Sequence, residues 1–304
     1  MIKQLFNKPS YFRYSFFIVL AFSVILNRMV LNGESNFYIL YILSVIFLGI
    51  GFYNKPLWFL ILFTVITVTC RYFSITDAES NIGIYLIHLI TYLLITLISS
   101  GLMNYVQKVK EDHLALTTAL ANALDSRDRY TLHHSENVAK YAVRIAEKMK
   151  LSEECCEVIR KGALLHDIGK IGIPEHILGK SGKLTDEEYE IIKSHPTLGH
   201  NMIKHIEHFH KNGVLDIVLY HHERYDGKGY PTGLKGDQIP LFARIVGIAD
   251  TFDAMTTKRV YRDEFDIEYA LNEIRKNRGT QFDPEIANVF LSLFEENSQS
   301  SGIL

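Results

Sequence analysis

Two hydrophobic patterns divide the chain. Up to about residue 103 the apolar residues run in four long stretches, near 11–31, 37–53, 57–75 and 82–103. Each is roughly 17–22 residues long, enough for a helix to cross a hydrocarbon core of about 30 Å. Beyond residue 103 the apolar positions recur at helical spacing instead. Residues 104–124 contain no Pro or Gly and read as one continuous helix. Within it Val109, His113, Leu116, Leu120 and Ala123 form a short heptad seam, which fits a dimerising signal helix. In 134–149, Val138, Ala142, Ile145 and Met149 make one apolar stripe, with His134 one turn ahead of it. In 153–167, Cys155, Ile159, Gly162 and His166 share a face, and Gly169 fits a helix C-terminal stop. Thr185 with Glu188 is a capping box that opens another helix. Residues 215–222, 243–257 and 266–277 complete the set, with a turn cluster at Asp226-Gly227-Lys228-Gly229-Tyr230-Pro231. No run reads as a strand. The expected fold is all-α: four transmembrane helices over 1–103, a linker helix over 104–124 and an all-helical domain over 125–304.

Charge sharpens this division. Residues 1–103 carry six Lys/Arg and three Asp/Glu, whereas the rest carries 26 and 31, a net charge of −5. A negative soluble part argues against a DNA or RNA binder, which needs a broad basic surface. Lys3, Lys8 and Arg13 precede the first stretch and Lys108 and Lys110 follow the fourth. That bias places both ends and the helical domain on the cytoplasmic side of the cell membrane, with the chain multi-pass in the lipid bilayer. The first stretch is long, aromatic and without a small-residue cleavage site, so it does not read as a cleavable signal. His88 is the titratable group well inside a span; it reads as hydrogen-bonded to a neighbouring helix, or as a sensing site. The three cysteines show no CxxC spacing and read as reduced thiols.

Histidine carries the chemistry: 12 of 13 fall after residue 103. Five islands offer metal ligands, namely His134, His166-Asp167, His195, His221-His222 and Asp250. Burying so many imidazoles and carboxylates without compensation would cost several kcal/mol each, on the order expected for unpaired polar and charged groups. A metal cluster removes that cost. Neighbouring helical side chains diverge by about 100°. His166 can therefore hold one ion while Asp167 bridges to a second, and His221 and His222 can address different ions or one ion and its surroundings. An imidazole and carboxylate set without thiolate suits iron or manganese better than structural zinc. Two such ions, about 3.5–4 Å apart, would activate water and clamp a phosphoryl oxygen. Lys170, one turn after His166, can stabilise charge developing on a phosphate, and Arg259 and Arg262 are candidate phosphate forks. Asp253 and Glu223 read as supporting or capping groups. His113, His133, His176, His200, His205, His208 and His210 lack ligand spacing.

Four segments together resemble the HD-GYP domain, a subgroup of the HD phosphohydrolase superfamily: LLHDIGKIGIP at 164–174, HPTLGH at 195–200, HHERYDGKGYP at 221–231 and IADTFDAMTTKRVYR at 248–262. The resemblance runs from about Asp125 to Phe290. It implies a metal-dependent phosphodiesterase that opens cyclic di-GMP to pGpG, GMP or both. It makes His134, His166, Asp167, His195, His221, His222 and Asp250 the metal ligands, and Asp167, Lys170 and His166 the catalytic group. Lys170, Tyr230, Arg259 and Arg262 would contact substrate. Family members with a third metal carry a Glu four residues before the first ligand histidine; Tyr130 stands there, so two ions are expected. Arg259-Val260-Tyr261-Arg262 replaces the usual RPYR. Two other functions stay open: a receptor that binds cyclic di-GMP without cleaving it, and an HD hydrolase of another cyclic dinucleotide.

Overall fold

The computed structural model describes residues 9–30, 37–74, 81–127, 133–180, 182–257 and 266–300. The chain divides into two units, Met1–Asp112 and His113–Leu304. The regular elements among the described residues are all helical, apart from one isolated bridge between Arg278 and Phe282.

The first unit contains α1 (Pro9–Ile25), which runs into a π turn at Leu26–Val30, then α2 (Tyr38–Gly51), α3 (Leu57–Ser74) and the beginning of α4 (Ile82–Arg127). Its packing is inverted relative to a water-soluble bundle. Ser44, Thr64, Thr67 and Thr96 are buried, while Ile18, Ile87, Ile90 and Leu102 face outward. The buried hydroxyls turn back onto their own helices: Thr64 Oγ1 donates to Leu60 O at 2.8 Å and Thr96 Oγ1 to Tyr92 O at 2.9 Å. Small residues let the helices close up: a Cβ on Gly49 would lie 2.5 Å from Thr96 O, so only glycine permits this approach of α2 to α4. Among the described residues three helices are long and apolar enough to cross a membrane. The stretch expected at 37–53 gives the shorter α2 of 14 residues, about 21 Å at 1.5 Å per residue. It stops at Gly51 because Phe52 closes the helix and Asn54-Lys55-Pro56 turns the chain.

The second unit takes over from His113. It contains α5 (His134–Lys148), α6 (Glu153–Leu165), a 3₁₀ turn at Ile168–Gly172, α7 (Glu175–Leu178), α8 (Asp186–Lys193), α9 (His195–Ile203), α10 (Glu207–Asn212) and α11 (Val214–Tyr220). A 3₁₀ turn at Gly236–Gln238 leads to α12 (Leu241–Thr256), α13 (Ile267–Lys276) and α14 (Pro284–Ser300). The expected stripe on α5 is real: Val138, Ala142 and Ile145 are fully buried, in one core with Ile159, Ile217, Val246, Phe252 and Phe290. The capping box at Thr185 and Glu188 forms as expected, with both reciprocal bonds present. On α6 the face differs slightly, because Cys156 rather than Cys155 is the more buried thiol. Along the heptad seam of α4, His113, Leu116, Leu120 and Ala123 are exposed and Val109 half-buried, while Ala121 and Leu124 pack inward.

Gly169 has a different reason from the one expected. α6 ends earlier, at Leu165, and Gly169 sits inside the following 3₁₀ turn. A Cβ there would lie 1.9 Å from His195 O and 2.5 Å from Gly199 N. Glycine is needed because α9 lies against the turn, not because the chain must reverse. Gly169→Ala should therefore cost about 1–3 kcal/mol of stability, the usual range for overpacking. Gly182→Ala, with nothing within 4 Å of its Cβ, should be neutral. Chemical denaturation of the detergent-solubilised chain, followed by circular dichroism, checks both; equal stability of the two variants would contradict the close approach.

Candidate metal centre

Three helices of the second unit end at one place, and each carries a histidine just past its last turn. His166 follows α6, His195 follows α8 and His221 follows α11. In each the Nδ1 atom faces a carbonyl near the end of its own helix: Ala163 O at 2.6 Å, Ile192 O at 2.7 Å and Val218 O at 3.0 Å. Carbonyls in a last helical turn lack intrahelical partners, so a proton on Nδ1 donates to them. The Nε2 lone pair is then left facing the centre. The helix C-termini also bring partial negative charge, which favours a cation there.

His134 reaches the same region from the N-terminus of α5 and is oriented over a long range: its Nδ1 lies 2.7 Å from Asp253 Oδ2, on α12. Asp125 fixes that terminus, accepting from Ser135 N at 2.9 Å and Ser135 Oγ at 2.8 Å. Asp250, one turn before Asp253, points its Oδ1 at His134 Nε2, 3.2 Å away.

All seven residues expected as ligands come together, in two groups. Asp167, His195, His221 and His222 offer ligand atoms within 4.8 Å of one another, and so do His134, His166 and Asp250. His166 and Asp167 fall in different groups, as their divergence predicts. His221 and His222 fall in the same one. Asp167 stands between the groups, with Oδ1 3.1 Å from His195 Nε2 and Oδ2 3.3 Å from His166 Nε2. Despite these approaches, His166 Nε2 and Asp167 Oδ1 are buried without hydrogen-bond geometry to any partner. Buried donor atoms converging without mutual hydrogen bonds fit metal ligation, so the residues suit a pair of divalent ions.

The electrostatics agree. Burial alone would raise the carboxyl of Asp250, but the hydrogen bond from His134 and the nearby imidazoles hold it well below the usual carboxylate range. Asp167 is likewise held low against burial, by the Lys170 ammonium and by His166. Burial would depress His134, yet its bonds to Asp250 and Asp253 raise it to about 10. Burial pushes His221 well below its ordinary range and His222 down to about 4. The side chains alone thus place a proton on His134, between carboxylates, at a position a metal can take.

The surrounding groups are partly those expected. Lys170 directs its ammonium to Asp167 Oδ2 at 2.7 Å. Tyr230 stacks on His222, with ring centroids 4.8 Å apart. Glu223 secures the loop carrying Tyr230 by accepting from Thr232 N at 2.7 Å, Gly233 N at 3.0 Å and Leu234 N at 3.0 Å. Arg259, Arg262 and Tyr130 lie outside the described residues. Two groups gave no signal in the sequence. Arg127, at the end of α4, donates to Ile171 O at 2.8 Å and Ile173 O at 3.0 Å, which clamps the turn bearing Lys170. Lys193 places its ammonium 5.5 Å from the Tyr230 ring centroid.

Known proteins share this arrangement of sequence. The chain is 43% identical over 187 residues to the cyclic di-GMP phosphodiesterase of Thermotoga maritima, covering 61% of this chain and 51% of that protein. It is 41% identical over 191 residues to the cyclic di-GMP phosphodiesterase response regulator RpfG of Xanthomonas campestris, covering 62% and 50%. Against the 3'3'-cGAMP-specific phosphodiesterase 2 of Vibrio cholerae the identity is 36% over 194 residues, covering 64% and 37%. The chain therefore spans about half the length of the first two relatives and less of the third. Residues 117–286, more than half of the chain and all seven candidate ligands, match the family described as the HD domain. The protein belongs to the HD-domain family.

Proposed function

We propose that the protein is an HD-GYP-type phosphodiesterase that hydrolyses cyclic di-GMP with two divalent ions, iron or manganese. The observation that carries this reading is the split of the seven ligands into two groups around Asp167. His134, His166 and Asp250 would hold one ion; His195, His221 and His222 would hold the other, with Asp167 shared. When bound, the ions supply Lewis acidity and activation of water for phosphodiester hydrolysis. Lys170 balances the Asp167 carboxylate and offers charge to the phosphate. Tyr230 keeps the His222 ring in place, and Arg259 and Arg262 are proposed to bind the substrate phosphates. In the reaction water adds to phosphorus, one P–O3′ ester bond breaks and the leaving oxygen takes a proton. The product is linear pGpG, and a second hydrolysis gives GMP.

In the same reading the four apolar helices of 1–103 are multi-pass in the cell membrane. Both termini and the HD domain face the cytoplasm. The heptad seam of 104–124 pairs two copies, and the outward exposure of Leu116 and Leu120 supports that pairing. A different cyclic dinucleotide remains the second reading, favoured by the relative named as specific for 3'3'-cGAMP.

Three outcomes follow for the anaerobically purified chain loaded with Fe(II) or Mn(II). Asp167→Ala should lower turnover of cyclic di-GMP by about a thousandfold or more, since several kcal/mol of Lewis-acid stabilisation depends on the shared carboxylate. Chromatography of pGpG and GMP reads this. Tight binding by the wild type with no product would instead indicate a receptor. Asp253→Asn should weaken metal binding by about 10–100-fold, the usual effect of losing a group that orients a ligand histidine. Excess metal should restore most of its turnover, which a merely misfolded variant would not show. Metal binding at pH 7 should release protons, because His134 is raised to about 10 and must lose its Nε2 proton to ligate. Apparent affinity should then rise with pH through this range. Calorimetry in buffers of different ionisation enthalpy measures the release, and identical heats would refute a protonated His134.

A further inference from the structure

The first unit holds a second buried polar cluster, separate in sequence and chemistry from the metal centre. Arg71, in the last turn of α3, is only 8% exposed. Its Nη1 donates to His88 Nδ1, on α4, at 2.8 Å. A guanidinium can only donate, so His88 accepts at Nδ1 and carries its proton on Nε2. Another of its donors, Nε, is buried and has no hydrogen-bond partner.

Two tyrosines add to it. Tyr41 on α2 and Tyr92 on α4 are 0% and 2% exposed and pack with Val68 of α3 in one cluster. Both hydroxyls are buried without a hydrogen-bond partner. Tyr41 lies near Ser74 and Asn27, whose side chains are bonded to their own helices at Cys70 O and Ser23 O. The Tyr92 ring lies 6.2 Å from the ring of His88, the partner of Arg71. Asn27 lies in the π turn after α1, Tyr41 in the first turn of α2 and Arg71 at the end of α3. His88 and Tyr92 follow in the second and third turns of α4. The cluster therefore gathers one end of all four helices.

Three orphan groups, Arg71 Nε and the two hydroxyls, can all donate, and no Asp or Glu among the described residues pairs with the arginine. A buried cation without a counter-charge is strongly unfavourable, most of all between apolar helices. Water could accept these hydrogen bonds but would not neutralise the charge. A planar guanidinium beside two buried hydroxyls that lack acceptors matches an oxygen anion. We propose that this cluster is a binding site for an oxyanion, a carboxylate or phosphate, held by Arg71 with Tyr41 and Tyr92 as further donors. The anion can arrive as a small solute or as part of a lipid headgroup, and the same chemistry recognises both.

The test uses the full chain in lipid nanodiscs, with thermal unfolding as the readout. In phosphatidylcholine discs, inorganic phosphate and acetate are titrated at constant ionic strength against chloride. In a second arm, discs of equimolar phosphatidylcholine and phosphatidylglycerol replace the soluble anions. A saturable rise of the unfolding midpoint in the first arm identifies a solute, and a rise confined to the second identifies a headgroup; both support the site. Arg71→Gln should abolish the rise. Tyr41→Phe and Tyr92→Phe, which keep the buried rings, should each weaken the apparent affinity by about tenfold, as expected for one hydrogen bond to a charged group. No rise in either arm overturns the proposal, as does an undiminished rise in Arg71→Gln. Should that variant fail to fold, unchanged affinity in both tyrosine variants overturns it equally. A rise that came from anion binding at the metal centre would stay undiminished in all three variants and would count against this site, so the result is independent of the catalytic reading.

Discussion

Asp167 and Asp250 are carboxylates enclosed by imidazoles, and the second unit is organised around keeping them ionised in its interior. Removing such groups from water costs several kcal/mol apiece, at the order of magnitude for buried ions, unless opposite charge is supplied at close range. His134 and His166 supply it at 3.2 and 3.3 Å, and Lys170 adds its ammonium at 2.7 Å. The fold has to deliver these partners from α5, α6, the turn after α6 and α12. That requirement explains the close seating of Gly169 on α9 and the Arg127 clamp on the following turn. A loosened turn would leave Asp167 buried with its compensation out of reach.

Local rules orient most of the ligands. His166, His195 and His221 each face a carbonyl of their own helix terminus, so their ring orientation is decided within three residues of the chain. One interaction satisfies an orphan carbonyl and aims Nε2 at the centre. His134 does not use this device: its Nδ1 faces a side-chain carboxylate rather than a carbonyl of a helix terminus. It depends on Asp253, 119 residues away. The local ligands are therefore set wherever their helices form, whereas His134 is set only once α12 has packed on α5.

This difference also decides what could be read from sequence. The seven candidate ligands were legible because polar side chains on apolar faces require an explanation, and a shared cation would account for all of them. Asp253 was legible only as a supporting group, since nothing in its spacing names His134 as its partner. Arg127 left no trace, because its partners are backbone carbonyls 44 and 46 residues away. Gly169 reads in sequence as a helix C-terminal stop, since sequence shows a glycine but not the helix that presses against it. The apolar stretch at 37–53 was read at full length, whereas α2 closes at Gly51 under the turn at Asn54-Lys55-Pro56. Helix ends depend on such competition between turn and helix, and hydropathy averages over it.

The two units bury polar groups by opposite logic. In the second, Asp167 and Asp250 have nearby imidazoles or an ammonium, and the residual valence is that of donor lone pairs, which a cation satisfies. In the first, the buried charge is Arg71, and the residual valence is that of N–H and O–H groups. Neither pattern arises from packing alone, because apolar residues of similar volume would fill either interior at lower cost. The sign of what is left over identifies the missing partner in both. Lone pairs facing one another suit a metal, and buried donors left without acceptors suit an anion. Most polar side chains of the first unit, such as Thr64, Thr67 and Ser44, bond to their own helices and leave nothing over. Arg71, Tyr41 and Tyr92 differ from these, because each keeps a buried donor without a hydrogen-bond partner.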